Sequence, residues 1–208
     1  MFDMEGNSDL GEVFIGLVHY PVLNKNGEVV ATSVTNLDIH DIARVAKTYG
    51  VSKFFIINPM QTQKKLVKRI VEYWCEGGGK SYNHLRGEAL ENVDVVDDLT
   101  SAKDEIINIT GAEPEIVGTW ARYDGEVITI DNLINKLEND ETPYLILFGT
   151  GWGMTDSIKK MCTYIMEPIR GTGEYHHLSV RSAVAIILDR IRGRNEANRL
   201  IGDTNVTS

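Results

Sequence analysis

The sequence has few cysteines and prolines, and it contains no long apolar run. Its two cysteines, Cys75 and Cys162, lie far apart without CxxC spacing, so we expect neither a disulfide framework nor a zinc site. No apolar run approaches the roughly 20 residues that a membrane span needs. Residues 1–10 are polar and acidic, unlike a secretory signal, and we therefore expect a cytoplasmic protein without a membrane segment.

An excess of acidic residues is the main compositional bias. The 208 residues include 30 Asp and Glu against 21 Lys and Arg, which gives a formal net charge of −9. Nonspecific affinity for nucleic acid comes mainly from Lys and Arg side chains that neutralise phosphates, so any contact with nucleic acid must be local. An apolar content of 42% and a charged content of 25% are otherwise typical of a globular domain.

Apolar runs alternate with helical periods along the chain, which predicts an α/β fold with a mainly parallel sheet and helices on both faces. We expect one domain over residues 1–208, with residues 1–12 as an N-terminal extension, because no linker or internal repeat is visible. The predicted strands cover residues 13–19, 54–57, 93–96, 116–120, 144–148 and 162–166. Segment 20–34 carries an Asn26-Gly27 turn signal, which indicates either a hairpin or a long loop.

Helix boundaries follow from capping signals. A helix with Ile39 and Ile42 on its apolar face has Thr35 or Asn36 as its N-cap, and Ser101 with Asp104 has the spacing of a second capping box. A further helix ends at Gly77. Its apolar stripe is Leu66, Val67, Ile70, Val71 and Trp74, and its opposite face carries Lys64, Lys65, Lys68 and Arg69. Such a face is usually solvated surface, but here it is also one of few patches that can meet phosphate.

Three alternating glycines follow the most apolar strand, in residues 149–153 (GTGWG). Glycines allow positive φ angles and let the backbone approach a ligand, and ligands of α/β sheets bind at the carboxyl ends of strands. A dinucleotide fingerprint, G-x-G-x-x-G, is the alternative, but Gly153 falls one place early and Met154 takes the expected position. Glu167 is then the candidate acid, although little room remains before residue 162 for a crossover helix.

A second glycine-bearing loop, residues 167–173 (EPIRGTG), precedes another helix start. Ser179 is placed to cap that helix, whose unpaired N–H groups then lie beside both loops. The residues expected to face the core are Val180, Ala183, Val184, Ile187, Leu188 and Ile191. Two glycine-bearing loops and one helix N-terminus thus lie close together in the sequence.

Residues 148–153 (FGTGWG), 169–171 (IRG) and 177–183 (HLSVRSA) resemble the second and third motifs of the SPOUT methyltransferases. Residues 120–123 (WARY) resemble the first motif, whose counterpart in the bacterial tRNA guanine-N1 methyltransferase begins with an aromatic residue and includes an arginine. The motifs cover the C-terminal half, whereas the N-terminal half is similar only in its alternating strands and helices. Within the family, the sequence is most similar to bacterial RNA methyltransferases with no assigned substrate.

The resemblance implies an enzyme that transfers a methyl group from S-adenosylmethionine to tRNA or rRNA. It also implies a deep trefoil knot within residues 115–200, which is rare among proteins, and a homodimer packed around the knot. The implied cofactor-binding residues are Thr119, Trp120, Ala121, Phe148, Gly149, Thr150, Gly151, Trp152, Gly153, Ile169, Gly171, Leu178, Ser179 and Ser182. We expect no counterpart of the C-terminal RNA-binding domain of the guanine-N1 enzyme and no separate RNA-binding module before the first strand, so the mode of RNA recognition stays open.

Arg122 is the first candidate for a catalytic residue, since it belongs to the first motif and a guanidinium can pair with phosphate or base edges. A surface arginine after a strand is an equally good interpretation. Asp124 and Glu174 are weaker candidates for a base. His176 and His177 are adjacent and lack partners with ligand spacing, so we expect no metal site.

Three functions remain open at this point. An RNA methyltransferase is favoured by both glycine loops and by the helix start after His177. A dinucleotide-dependent oxidoreductase is disfavoured by the glycine spacing. A protein that binds the cofactor without catalysis is favoured by the acidic charge and by the missing RNA-binding module.

Overall fold

The computed structural model describes residues 11–173 and 175–193, in which six parallel strands form one sheet. The sheet order is β5-β4-β1-β7-β6-β8, so the first strand and the glycine-loop strand lie at the centre. The strands are β1 (Val13–Val18), β4 (Lys53–Ile57), β5 (Val93–Val96), β6 (Glu115–Gly118), β7 (Tyr144–Gly149) and β8 (Tyr164–Ile165). Segment 20–34 forms the antiparallel hairpin β2 (Val22–Leu23) and β3 (Val29–Val30), as the first of its two interpretations predicted.

Helices cover both faces of the sheet, as predicted. They are α1 (Asn36–Thr48), α2 (Gln61–Cys75), α3 (Gly78–Tyr82), α4 (His84–Leu90), α5 (Leu99–Thr110), α6 (Ile130–Asn139), α7 (Asp156–Lys159) and α8 (Val180–Leu188), followed by a π-helical turn, Asp189–Gly193. One apolar core joins the sheet to α1, α2, α4, α6 and α8. The other joins it to α5, α7 and the hairpin. Successive residues of a strand point to opposite faces, so the central strands are buried on both.

The capping predictions were correct for α1 and α8 and wrong for α5. The Thr35 hydroxyl accepts a hydrogen bond from the Asp38 amide, and the Ser179 hydroxyl caps α8 by accepting one from the Ser182 amide. Helix α5 instead begins after Asp98, whose carboxylate accepts bonds from the amide and hydroxyl of Ser101. A carboxylate one turn earlier is the better acceptor for the free N–H groups of that terminus, so Ser101 is a donor inside the helix.

Several elements differ from their predicted extents. Strand β6 ends at Gly118, so Trp120 belongs to the following loop, and the predicted strand 162–166 is reduced to Tyr164–Ile165. Helices α3, α4 and α7 were not predicted. Leu66, expected to face the core, is 41% exposed, whereas Val67 is buried. No helix within the described residues has the length and apolar character of a membrane span.

After β7 the chain runs to the edge of the sheet and then turns back toward its centre. It passes through α7 to β8, which lies beyond β6, and then returns to α8, which packs against α1 and β7. The loop after β6 reaches the outer side of β8. There the Ile128 amide donates to the Ile165 carbonyl at 2.8 Å, and the Glu167 amide donates to the Ile128 carbonyl at 3.0 Å. Residues 164–167 therefore lie between β6 and Ile128.

Candidate functional site

A cavity of about 910 Å³ lies at the carboxyl end of the central strands. The loops after β1, β6 and β7, the segment after β8 and the start of α8 form its walls, as expected for a ligand site of a parallel sheet. The lining residues are His19, Thr32, Ser33, Asp38, Thr119, Trp120, Ala121, Arg122, Phe148, Gly149, Thr150, Gly151, Trp152, Gly153, Glu167, Ile169, His176, His177, Leu178, Val180, Ala183 and Ile187.

The glycine loop, residues 149–153, is held against the hairpin. The Trp152 amide donates to the Leu23 carbonyl at 3.0 Å, and the Leu23 amide donates to the Gly153 carbonyl at 2.9 Å. Gly151 has φ +61° and Gly153 has φ +106°, a region in which a Cβ atom is strained. A Cβ on Gly151 would also stand 2.8 Å from the Leu23 carbonyl oxygen. The loop therefore requires glycine at both positions.

The loop after β6 brings aromatic and cationic side chains to the cavity. The Thr119 hydroxyl donates to the Leu147 carbonyl at 2.8 Å, which fixes the exit of the strand. The rings of Trp120 and Tyr123 lie 6.3 Å apart, and Trp120 lines the cavity beside Gly153. Arg122 is exposed, and among the described residues it has no ion-pair partner. Its guanidinium is thus free to bind a ligand at the mouth of the cavity.

The segment between β8 and α8 forms the apolar wall. Ile169, Leu178 and Val180 line the cavity together with Phe148 from β7. The Glu167 carboxylate accepts a hydrogen bond from the Ile130 amide at 3.0 Å, so it anchors α6 in this structure. Pockets for small molecules are lined mainly by apolar side chains with a few polar groups, so this wall suits the apolar part of a ligand.

The polar wall consists of His19, Thr32, Ser33 and Asp38, which come from the loop after β1, the hairpin and the start of α1. Burial lowers the pKa of His19 from 6.5 to about 4, against the opposing effect of the nearby Asp38 carboxylate. Asp38 is 6% exposed and pairs with Arg181 of α8, with Nη1 and Oδ1 2.7 Å apart. Helices α1 and α8 are therefore joined directly beside the cavity.

Most of the residues expected in the site lie together. Arg122 and the expected cofactor residues line the cavity, apart from Gly171, Ser179 and Ser182. Ser179 and Ser182 are engaged in capping α8, with their hydroxyl oxygens 2.9 Å apart. Asp124 is exposed and does not line the cavity, and Glu174 lies outside the described residues.

The sequence did not predict the polar wall. Its residues come from the N-terminal half, where the sequence contains no glycine motif like that of residues 149–153. The one available signal was position, because His19 follows directly after β1 and Asp38 stands in the first turn of α1. His176 and His177 do line the cavity, and the described residues contain no group of three or more His, Cys, Asp or Glu able to hold a metal ion.

The cavity fits S-adenosylmethionine in its chemistry. The positive φ angles of Gly151 and Gly153 let the main chain approach a ligand where a Cβ atom is strained. Phe148, Ile169 and Leu178 offer an apolar surface for an adenine ring. Both features occur within the segments that resemble the second and third SPOUT motifs.

Comparison with known proteins also points to a protein that uses S-adenosylmethionine. A family model described as SAM-dependent RNA methyltransferase matches residues 12–193. An uncharacterised protein of Aquifex aeolicus is 39% identical over 186 residues, which cover 89% of this chain and 91% of that protein. A tRNA (guanine-N(1)-)-methyltransferase of Nitratidesulfovibrio vulgaris is 41% identical over 181 residues, which cover 87% of this chain. The chain spans only 42% of the length of that enzyme.

Solved structures share the fold at low sequence identity. The TrmH/SpoU tRNA modifying enzyme of Aquifex aeolicus superposes with a TM-score of 0.55 at 15% identity, covering 91% of this chain and 77% of that one. The SpoU methyltransferase AviRb of Streptomyces viridochromogenes, solved in complex with AdoMet, gives 0.51 at 16% identity, covering 90% and 58%. Since the family model spans nearly all described residues, the chain belongs to the SAM-dependent RNA methyltransferases and has the fold of the SPOUT enzymes.

Proposed function

We propose that the cavity at the ends of β1, β6 and β7 binds S-adenosylmethionine, and that the enzyme methylates a nucleotide of tRNA or rRNA there. One observation carries the proposal. Segments 119–122 and 148–153, together with Ile169 and residues 176–178, are remote in sequence and line a single cavity. The tRNA specificity of the longer relative is not transferred, because less than half of that protein matches this chain.

Each wall has a distinct task in this proposal. When bound, S-adenosylmethionine supplies an electrophilic methyl group on a sulfonium centre. The apolar wall of Phe148, Ile169 and Leu178 holds the adenine, and the glycine loop offers main-chain amides and carbonyls to the ribose and methionine parts. Gly171, Ser179 and Ser182 act indirectly, by shaping the segment before α8 and capping it. Catalysis then comes mainly from aligning the acceptor nucleotide with the methyl group.

Arg122 orients the RNA in this proposal. Its side chain lines the cavity, is exposed and has no ion-pair partner among the residues described. Arg122→Ala should therefore leave the Kd for S-adenosylmethionine within about twofold and lower methylation at least tenfold, as expected when a charged hydrogen bond is lost. Arg122→Lys keeps the charge without the planar fork and should restore only part of the activity. Unchanged methylation by Arg122→Ala would remove this role.

The decisive experiment combines binding with product identification. Calorimetry should show that the purified protein binds S-adenosylmethionine in preference to NAD. Incubation with radiolabelled S-adenosylmethionine and total RNA from cells lacking the gene should then label one nucleoside, identified after digestion. Cofactor binding without any labelled RNA would favour the non-catalytic alternative. Preferential binding of NAD would favour the oxidoreductase, although the connection after Gly153 holds only the four-residue helix α7.

We also propose the C-terminal knot, over residues 115–200, and a homodimer packed around it. The path of the chain supports the knot, because residues 164–167 lie between β6 and Ile128 of the loop that follows β6; residues 194–200 of the proposed knot region lie outside the described residues. The shared sheet supports a single domain over the described residues, and residues 1–10 of the expected N-terminal extension lie outside them. The two free cysteines are compatible with a reducing cytoplasm. Sedimentation at micromolar concentration should give twice the 23.2 kDa mass of the chain, and a monomer would contradict the dimer.

A further inference from the structure

The proton of the neutral His19 imidazole is assigned to one of its nitrogens from the hydrogen bonds of the polar wall. The Thr150 hydroxyl donates to the Val18 carbonyl at 2.9 Å, so at the 2.5 Å contact with Thr32 it is the acceptor. The Thr32 hydroxyl has only one proton, and its two acceptors are the Thr150 hydroxyl at 2.5 Å and, at 3.4 Å, the His19 carbonyl, so the proton is assigned to the shorter contact with Thr150. At the 2.9 Å contact between His19 Nδ1 and the Thr32 oxygen, Nδ1 is therefore the donor.

The opposite nitrogen is consequently a buried acceptor without a donor. With the proton on Nδ1, Nε2 of the neutral imidazole carries a lone pair. Nε2 has no hydrogen-bond partner among the described residues, and the whole side chain is 1% exposed. Buried polar atoms are nearly always paired in folded proteins, so an unpaired one that belongs to a cavity-lining residue indicates a ligand that completes it.

The position of His19 indicates which ligand this is. The segments proposed to bind the cofactor follow β6, β7 and β8, whereas His19 follows β1, on the other flank of β7. The remaining polar-wall residues, Thr32, Ser33 and Asp38, lie on this same flank and come from the hairpin and α1. The polar wall is therefore left for the second substrate.

A basic surface begins next to the polar wall. The Val34 amide, one residue after Ser33, donates to the side-chain carbonyl of Gln63 in the first turn of α2 at 2.7 Å. Lys65, Lys68 and Arg69 follow on the exposed face of that helix, and none of them forms an ion pair with a described residue. Phosphates that flank a nucleotide in the polar wall can be neutralised there.

We infer that the polar wall is the pocket for the target nucleotide, in which Nε2 of His19 accepts a hydrogen bond from an N–H or O–H group of that nucleotide. This inference rests on the proposed function. It limits the acceptor to a nucleotide that presents a donor beside the methylated atom. His19 is thus a residue that positions and selects the substrate, and it is not required for cofactor binding.

The test compares His19→Phe, which removes the acceptor, with His19→Gln, whose side-chain oxygen can replace Nε2. With total RNA from cells lacking the gene, His19→Phe should lower kcat/KM about 10- to 100-fold, because the donor of the substrate is left unpaired. The Kd for S-adenosylmethionine should stay within twofold, and His19→Gln should recover most of the activity. His84→Phe, at an exposed position outside the cavity, is the matched control.

A spectroscopic readout on the unaltered protein avoids any folding defect of the variants. The ¹⁵N resonance of His19 Nε2 should move when the RNA is added to protein already saturated with S-adenosylhomocysteine, and it should not move with the cofactor product alone. A shift caused by the cofactor product alone, or normal kinetics of His19→Phe, would overturn the inference while leaving the proposed function intact. A protein that binds no S-adenosylmethionine would overturn both.

Discussion

Acid should destabilise the protein through His19. Burial lowers the pKa of this imidazole from 6.5 to about 4 in the folded state, although the Asp38 carboxylate acts in the opposite direction. Between these values the unfolded chain binds a proton that the folded protein excludes, so the free energy of unfolding falls as the pH falls. Above pH 6.5 His19 is neutral in both states, and its protonation no longer lowers the free energy of unfolding. Linkage gives a loss of about 2 kcal/mol at pH 5 and about 3 kcal/mol at pH 4.

Urea unfolding at pH 7, 6, 5 and 4 measures this effect when the protein is compared with His19→Gln. The variant lacks the titrating group, so its difference from the unaltered protein isolates His19 from the carboxylates that also protonate in acid. Between pH 7 and pH 4, the free energy of unfolding of the unaltered protein should fall by about 3 kcal/mol more than that of the variant. A constant difference, or an imidazole that titrates near pH 6.5 in the folded protein by NMR, would refute a buried neutral histidine.

Two further predictions concern the walls of the cavity. Gly151→Ala should cost about 1 to 3 kcal/mol of stability by urea unfolding and weaken S-adenosylmethionine binding at least tenfold by calorimetry, since its φ of +61° and the Leu23 carbonyl both oppose a Cβ atom. Gly27→Ala, at φ +79° with open space around it, should leave binding unchanged. Arg181→Ala should lower the free energy of unfolding by about 2 kcal/mol, because Asp38 stays buried without its cation, and adding Asp38→Asn should recover part of it. Cofactor affinity unaffected by Gly151→Ala, or stability unaffected by Arg181→Ala, would contradict the respective prediction.

The central strands could be predicted because their burial leaves a simple pattern. Strands β1 and β7 are covered by helices on both faces, and each therefore consists of a continuous apolar run. Helices α3 and α4 left no such pattern. The three glycines at 77–79 look like the end of α2, yet the backbone there packs closely against Trp74, and the Arg86 guanidinium lies 4.8 Å from the same ring. Those short helices are stabilised by tertiary packing, which leaves no periodic pattern of apolar residues in the sequence.

The glycine loop and the polar wall also differ in whether the sequence reveals them. The glycine loop could be found because positive φ angles restrict the residue type, which leaves a signal within five consecutive positions. His19 and Asp38 carry no comparable restriction. Asp38 looks like an ordinary acidic residue in the first turn of a helix, and only the fold brings Arg181, 143 positions away, to its carboxylate. Sequence spacing cannot show such a contact, since it depends on the packing of α8 against α1.

The acidic net charge is compatible with RNA binding only if the cations are placed where the RNA lies. Lys53, Lys64 and Lys103 are paired with carboxylates and contribute little net attraction. On the exposed face of α2, Lys65, Lys68 and Arg69 have no such partner among the described residues, and Gln63 joins the first turn of that helix to the segment that forms the polar wall. Arg122 lies at the opposite side of the cavity, after β6. A strand of RNA held between these two regions would place one nucleotide over the ends of β1 and β7, so the local arrangement of charge, and not its sum, decides where the methyl group can be delivered.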